Sequence, residues 1–102
     1  MFITSQRFLD DETVEAKREA GDYVVTVTPE FEVDGVVMQA IIDGHHSLAA
    51  ARADDVEPEY VVATAQDDDR VGLILDGRIE DYLEASFMDS EWYDVETGHN
   101  VF

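Results

Sequence analysis

The chain contains no cysteine, one lysine, and no long apolar run. The missing cysteines exclude disulfide bonds, thiolate metal ligands and cysteine nucleophiles, and they are typical of a cytoplasmic protein. The missing apolar run excludes a transmembrane helix, and the first residues lack the basic start and apolar middle of a signal peptide. We therefore expect a single cytoplasmic domain over residues 1–102, with no association with membranes.

Positive charge is scarce throughout the sequence. Six Lys and Arg residues stand against 25 Asp and Glu residues, which gives a net charge of −19. Proteins that bind duplex DNA need a basic face to neutralise its phosphates, so direct duplex binding is not expected. Three interpretations of the acidity remain open: a solvated surface that maintains solubility, adaptation to high salt, and mimicry of nucleic acid.

In the mimicry interpretation, carboxylates imitate a phosphate array and occupy the basic groove of a nucleic-acid-binding partner. Phage-encoded inhibitors of restriction or CRISPR nucleases use this device. The chain would then be a non-enzymatic phage or plasmid protein, and its partner would be a basic nucleic-acid-binding protein. A homodimer is an alternative to a monomer.

Propensity and hydrophobic periodicity predict an α+β domain with a small mixed sheet and packed helices. Asp34-Gly35 predicts a two-residue hairpin turn, after which a central strand runs to Ile42. Aromatic residues near the end of the chain either complete the core or form the anchor of an interface. The predicted strands cover residues 2–8, 23–28, 31–33, 36–42 and 59–64, the predicted helices cover 10–20, 45–53 and 76–87, and these aromatic residues are Phe87, Trp92, Tyr93 and Phe102.

The segment that suggests chemistry is Ile41-Ile42-Asp43-Gly44-His45-His46-Ser47-Leu48. A strand that turns at Asp-Gly directly into a helix lets the backbone approach a ligand closely. The free N–H groups and the positive dipole end of the helix attract an anion, typically phosphate. His45 and His46 are suited to hydrogen bonding or acid–base chemistry near neutral pH. The structural alternative is that Asp43 caps the helix and the histidines lie at its rim.

The same segment resembles the "ildGHHRlaAa" signature of the ParB/sulfiredoxin-like domains, which include the N-terminal domain of ParB, sulfiredoxin and an ADP-dependent serine kinase. The similarity is concentrated between Asp34-Gly35 and Val56-Glu57-Pro58. It implies a ParB/sulfiredoxin-like fold that binds a nucleoside triphosphate or diphosphate with Mg²⁺, and NTP hydrolysis or phosphoryl transfer as the activity. The implied catalytic residues are His45 and His46, and the implied phosphate-binding residues are Asp43, Gly44 and Ser47.

Two departures from the family pattern bear on activity. Ser47 stands where the family has an arginine, which removes a bidentate phosphate clamp. The lack of cysteine excludes the chemistry of sulfiredoxin. Glu30 and Glu32 precede the motif strand and are the candidate Mg²⁺ ligands or bases, with a plain strand-edge location as the alternative. Asp67-Asp68-Asp69 is either a cation site or, more simply, a solvated turn.

Overall fold

The computed structural model describes all 102 residues as one mixed sheet of six strands with four helices. The predicted α+β class is therefore confirmed. The strands are β1 (Phe2–Thr4), β2 (Val24–Val27), β3 (Phe31–Val33), β4 (Val36–Asp43), β5 (Glu59–Val62) and β6 (Tyr93–Asp94). The helices are α1 (Asp11–Ala20), α2 (His45–Ala53), α3 (Val71–Leu75) and α4 (Ile79–Ala85).

Strand β4 is the centre of the sheet, whose order is β5-β2-β4-β1-β6, with β3 paired to the start of β4. Strand β1 runs parallel to β4, whereas β2 and β3 run antiparallel to it. The two residues between β3 and β4 both have positive φ, 51° for Asp34 and 82° for Gly35, as a type I′ turn requires. The predicted hairpin and central strand are thus confirmed.

Each face of the sheet has its own apolar core, because successive residues of β4 point to opposite faces. Ala40 belongs to the core that α3 and α4 cover with Ile74 and Tyr82. Ile41 belongs to the other core, which α2 covers with Leu48. Helix α1 has no buried residue and lies beside α2, as predicted for a surface helix.

Several predicted element boundaries were wrong. The first strand ends at Thr4, and Asp67-Asp68-Asp69, expected to be a turn or the start of a helix, is followed by α3. Helix α4 ends at Ala85, so Phe87 lies outside it and is 49% exposed. The end of the chain pairs with β1 through β6. No helix combines the length and apolar character needed to cross a bilayer.

Candidate functional site

Gly44 fixes the geometry of the turn between β4 and α2. Its φ of 94° lies in the left-handed region, where side chains are strained. A Cβ added at Gly44 would lie 2.5 Å from the Val24 carbonyl oxygen and 2.9 Å from the Cα of Val25. The glycine therefore lets the turn press directly against β2, which places the first residues of α2 beside the end of that strand.

A small polar cavity of about 220 Å³ opens at this turn. It lies between the end of α1, the start of β2 and the first turn of α2. Pockets that hold a drug-sized ligand enclose about 300–1,000 Å³, so this cavity matches a single phosphate group better than a whole nucleotide. Its lining residues are Lys17, Asp22, Val24, Thr26, Asp43, Gly44, His46 and Ser47.

The backbone at the start of α2 offers hydrogen-bond donors to this cavity. The N–H groups of His45, His46 and Ser47 donate to no acceptor in the protein. Asp43 does not cap them, because its Oδ1 instead accepts the N–H of Gly44 at 2.8 Å. Three free donors at the positive end of a helix dipole form an arrangement that favours an anion.

His45 is buried, and its ring points away from the cavity toward β1. Its Nε2 lies 2.6 Å from the hydroxyl oxygen of Thr4, which also accepts the N–H of Gln6 at 3.2 Å. Burial lowers the pKa of His45, while Asp43 opposes the shift. Burial thus favours the neutral imidazole, and its contact with Thr4 links α2 to β1. This role of His45 is structural rather than catalytic.

His46 points in a different direction, as expected for neighbouring positions in a helix. Its Nε2 accepts the backbone N–H of Asp10 at 3.1 Å, so that nitrogen carries no proton. The contact holds the segment before α1 against the first turn of α2. Each candidate catalytic histidine therefore has its Nε2 engaged with the segment that precedes α1.

Ser47 is buried and lines the cavity beside Asp22. The Lys17 ammonium, 2.9 Å from the Asp22 carboxylate, is the main cause that lowers the pKa of Asp22, with smaller contributions from the Val24 N–H and the Ser47 hydroxyl. Where the signature that the segment resembles has an arginine, this chain has a neutral hydroxyl that faces a carboxylate. Arg52 does not replace that arginine, since it lies 3.6 Å from Glu96 and does not line this cavity.

The structure does not bring Glu30 and Glu32 to the motif. Glu32 pairs with Val37 near the start of β4, and Asp43 lies six positions further along the strand, a span of about 20 Å. No group of three or more His, Asp or Glu side chains is arranged to hold a metal ion. These carboxylates do not fit a Mg²⁺ site at the turn.

Asp67 and Asp68 form a turn closed by local hydrogen bonds. An oxygen of the Asp67 carboxylate accepts the N–H of Thr64 at 2.9 Å, and Asp68 pairs with Arg70 at 2.7 Å. Both side chains thus have partners within the protein, which agrees with the simpler interpretation of this aspartate run.

Sequence reasoning missed Lys17 and Asp22 as members of the site. They precede the motif by more than 20 residues and reach it only because α1 lies beside α2. The one available signal was that Lys17 is the only lysine of the chain. Comparison of the chain with protein-family models, with curated proteins and with solved structures gave no match.

Proposed function

We propose that the chain is a non-enzymatic acidic interaction protein that binds a basic, nucleic-acid-binding surface of a partner protein. The observation behind it is that all six basic side chains have partners within the protein. Five of the six basic residues lie within 3.6 Å of a carboxylate. The sixth, Arg7, lies 3.8 Å from the centre of the Tyr93 ring and donates to the Gly98 carbonyl.

The ion pairs engage six of the 25 acidic residues, which leaves 19 carboxylates without an ionic partner. Their summed field attracts cationic surfaces and repels nucleic acid. Nucleic-acid-binding proteins present such surfaces because they neutralise phosphates. A chain with this field competes with nucleic acid for the same residues of the partner.

The test is inhibition of DNA cleavage by a panel of restriction endonucleases and RNA-guided nucleases. We expect the protein to inhibit at least one enzyme at low salt, and we expect added DNA to relieve the inhibition by competition. Added salt should also relieve it, because the Debye screening length falls to about 8 Å at physiological ionic strength. Polyglutamate of equal total charge is the control for bulk charge. Inhibition no stronger than that of polyglutamate, or no inhibition at all, would overturn the proposal.

A second candidate function is phosphate binding at the start of α2, within a ParB/sulfiredoxin-like fold. The specific observation that favours it is that His46 and Ser47, whose N–H groups are free, and Lys17 line one cavity. The resemblance of the segment to the family signature supports the same candidate, and the segment forms a strand–glycine–helix turn. Against strong binding, Asp22 and Asp43 line the same cavity. The expected ligand is therefore a small phosphate compound, bound weakly and without catalysis.

This second candidate is tested by following the backbone amide signals of His45, His46 and Ser47 by NMR during titration with inorganic phosphate, ADP, ATP and CTP, with and without Mg²⁺. We expect saturable shifts that Lys17→Met abolishes. Arg78→Met is the matched control, because Arg78 is also an exposed ion-paired cation, bonded to Asp81, but does not line the cavity. Unmoved amides at millimolar ligand would rule out the phosphate site.

A further inference from the structure

An apolar groove of about 610 Å³ lies near the beginning of β4, at the end of the strand opposite Gly44. Its floor is formed by half-buried side chains that continue the core of α3 and α4, and by two aromatic rings. Trp92 is 7% exposed, whereas Phe102 is 54% exposed and stands at the edge. The apolar floor consists of Val33, Ile79, Leu83, Trp92 and Phe102.

The rim of this groove is entirely acidic. Glu32, Asp34 and Glu80 line it, all three are exposed, and none has an ionic partner. No basic residue lines the groove. The nearest cation along the chain, Arg78, is held by Asp81 at 2.8 Å. The groove thus joins exposed apolar surface to uncompensated negative charge.

We infer that this groove is the docking site for an amphipathic, basic segment of the partner protein, whose apolar side chains enter the groove while its Lys or Arg side chains meet Glu32, Asp34 and Glu80. Charge complementarity selects this occupant. A second copy of the chain is disfavoured, because it would bring one acidic rim against another. The inference rests on the proposed interaction function and narrows it to one surface and one partner chemistry.

Apolar contacts in the groove would supply binding energy that long-range electrostatic attraction alone does not. Electrostatic attraction accelerates encounter and is screened by salt, whereas aromatic side chains in an apolar pocket dominate the energy of many interfaces. Phe102 and Trp92 are the candidate anchors on this chain. An interface that combines both contributions is weakened by salt, but less than one held by charge alone.

The groove offers a direct readout, because Trp92 is the only tryptophan of the chain. The probe is a synthetic peptide of about 14 residues without tryptophan, with leucine at helical i, i+3, i+4 spacing and lysine elsewhere. We expect it to change Trp92 fluorescence saturably. Two control peptides, one with the lysines replaced by glutamate and one with the leucines replaced by serine, are expected to bind at least about tenfold more weakly.

Matched variants separate the groove from the general charge of the protein. The groove variant is Glu32→Gln, Asp34→Asn and Glu80→Gln, and the control variant is Asp11→Asn, Glu12→Gln and Glu19→Gln on α1. Both remove three exposed, unpaired carboxylates. We expect the groove variant to bind the lysine–leucine peptide about tenfold more weakly and the α1 variant less than about twofold more weakly.

An anchor variant, Phe102→Ala, is expected to weaken binding of the same peptide severalfold, with no loss of folding because the ring is exposed. Equal weakening by the groove and α1 variants would overturn the inference in favour of bulk charge. Equal binding of the serine peptide would overturn it by removing the apolar anchor. Peptide-free, concentration-dependent change of Trp92 fluorescence would show that a second copy fills the groove, which also overturns it.

These outcomes are separable from those of the nuclease test. Nuclease inhibition without peptide binding at the groove would retain the interaction function and refute the docking site. Peptide binding at the groove without nuclease inhibition would retain the docking site and exclude a nucleic-acid enzyme as the partner.

Discussion

The two ends of strand β4 differ in how their polar groups are satisfied. At the Gly44 end, Thr4 bonds His45, Asp10 bonds His46, and Lys17 pairs with a carboxylate. At the other end, the three carboxylates around the groove have no ionic partner and stand beside exposed apolar surface. The motif side chains are thus engaged within the protein and leave only backbone N–H groups free, whereas the groove end, with ordinary residue types, leaves its carboxylates and apolar side chains open to a partner.

This difference shows that residue type alone does not locate function. Histidine and threonine at the Gly44 end hold α2 to the first strand and to the segment that follows it. The groove is assembled from three segments, residues 32–34, 79–83 and 92–102, none of which has a motif.

The largest effect is expected for Gly44→Ala. The new Cβ would meet backbone of β2 at 2.5 Å, and the φ of 94° is unfavourable for alanine, so we expect a loss of about 3 kcal/mol or more in the free energy of unfolding. Gly98→Ala is the control, since its φ is 77° but no atom lies within 4 Å. Denaturant unfolding should show a loss of only about 1 kcal/mol there. Equal losses would mean that contact with β2 is not what requires Gly44.

The next effect is expected for Thr4→Val, which keeps the shape of the side chain and removes its hydroxyl. His45 Nε2 would lose its partner at a buried position, so the free energy of unfolding should fall by about 2 kcal/mol. Thr26→Val is the control, because Thr26 is also a strand residue but is only half-buried, and its hydroxyl has no hydrogen-bond partner in the protein. A loss for Thr4→Val no larger than for Thr26→Val would contradict the structural role of His45.

The Thr4–His45 pair also shows how far the sequence could predict this molecule. Local signals predicted the hairpin at Asp34-Gly35 and the turn at Gly44 correctly, because each depends on the backbone conformation of one or two residues. The partner of His45 lies 41 positions away and is set by parallel pairing of β1 with β4. No local pattern encodes such a pairing, so the sequence could not show that His45 has a partner within the protein.

The sequence was equally unable to show which charged residues lie near the motif in space. Lys17 could not be placed near the motif from the sequence, because the approach of α1 to α2 is a tertiary contact. The sequence placed Glu32 beside the motif, since the hairpin is next to it along the chain. Strand β4 is eight residues long, so its two ends are far apart in space although the hairpin is next to the motif in sequence.

A smaller effect is expected from pH. The pKa of His45 is lowered by burial in the folded protein, whereas the unfolded chain has the ordinary value near 6.5. Below about pH 6.5 the unfolded state therefore binds more protons, and stability falls as the pH is lowered toward the folded-state pKa. Carboxylates such as Asp22, whose pKa is lowered, contribute only at more acidic pH.

We expect wild-type unfolding midpoints to fall between about pH 7.5 and pH 5.5, and we expect His45→Gln to lack the part of this decrease that comes from His45. The comparison of the two pH profiles isolates His45, because the two proteins share every other titratable group. Parallel profiles would mean that His45 is accessible to protons in the folded state, and the Gly44 end would then be more open than its contacts indicate.

The smallest effect is expected for Asp22→Asn, which probes whether the Gly44 end retains any affinity for phosphate. The substitution removes one negative charge from the cavity and keeps an oxygen for the Val24 N–H. At a separation of about 6 Å in water, that charge is worth about 0.7 kcal/mol, so phosphate should bind about threefold more tightly.

Asp81→Asn is the control, because Asp81 also pairs with an exposed cation but lies outside the cavity. NMR titration of the His45–Ser47 amides with inorganic phosphate measures both. Tighter binding confined to Asp22→Asn would place a weak anion site at this end. If neither variant binds phosphate, both histidines and Lys17 serve only to hold the fold, and interaction is confined to the open end of β4.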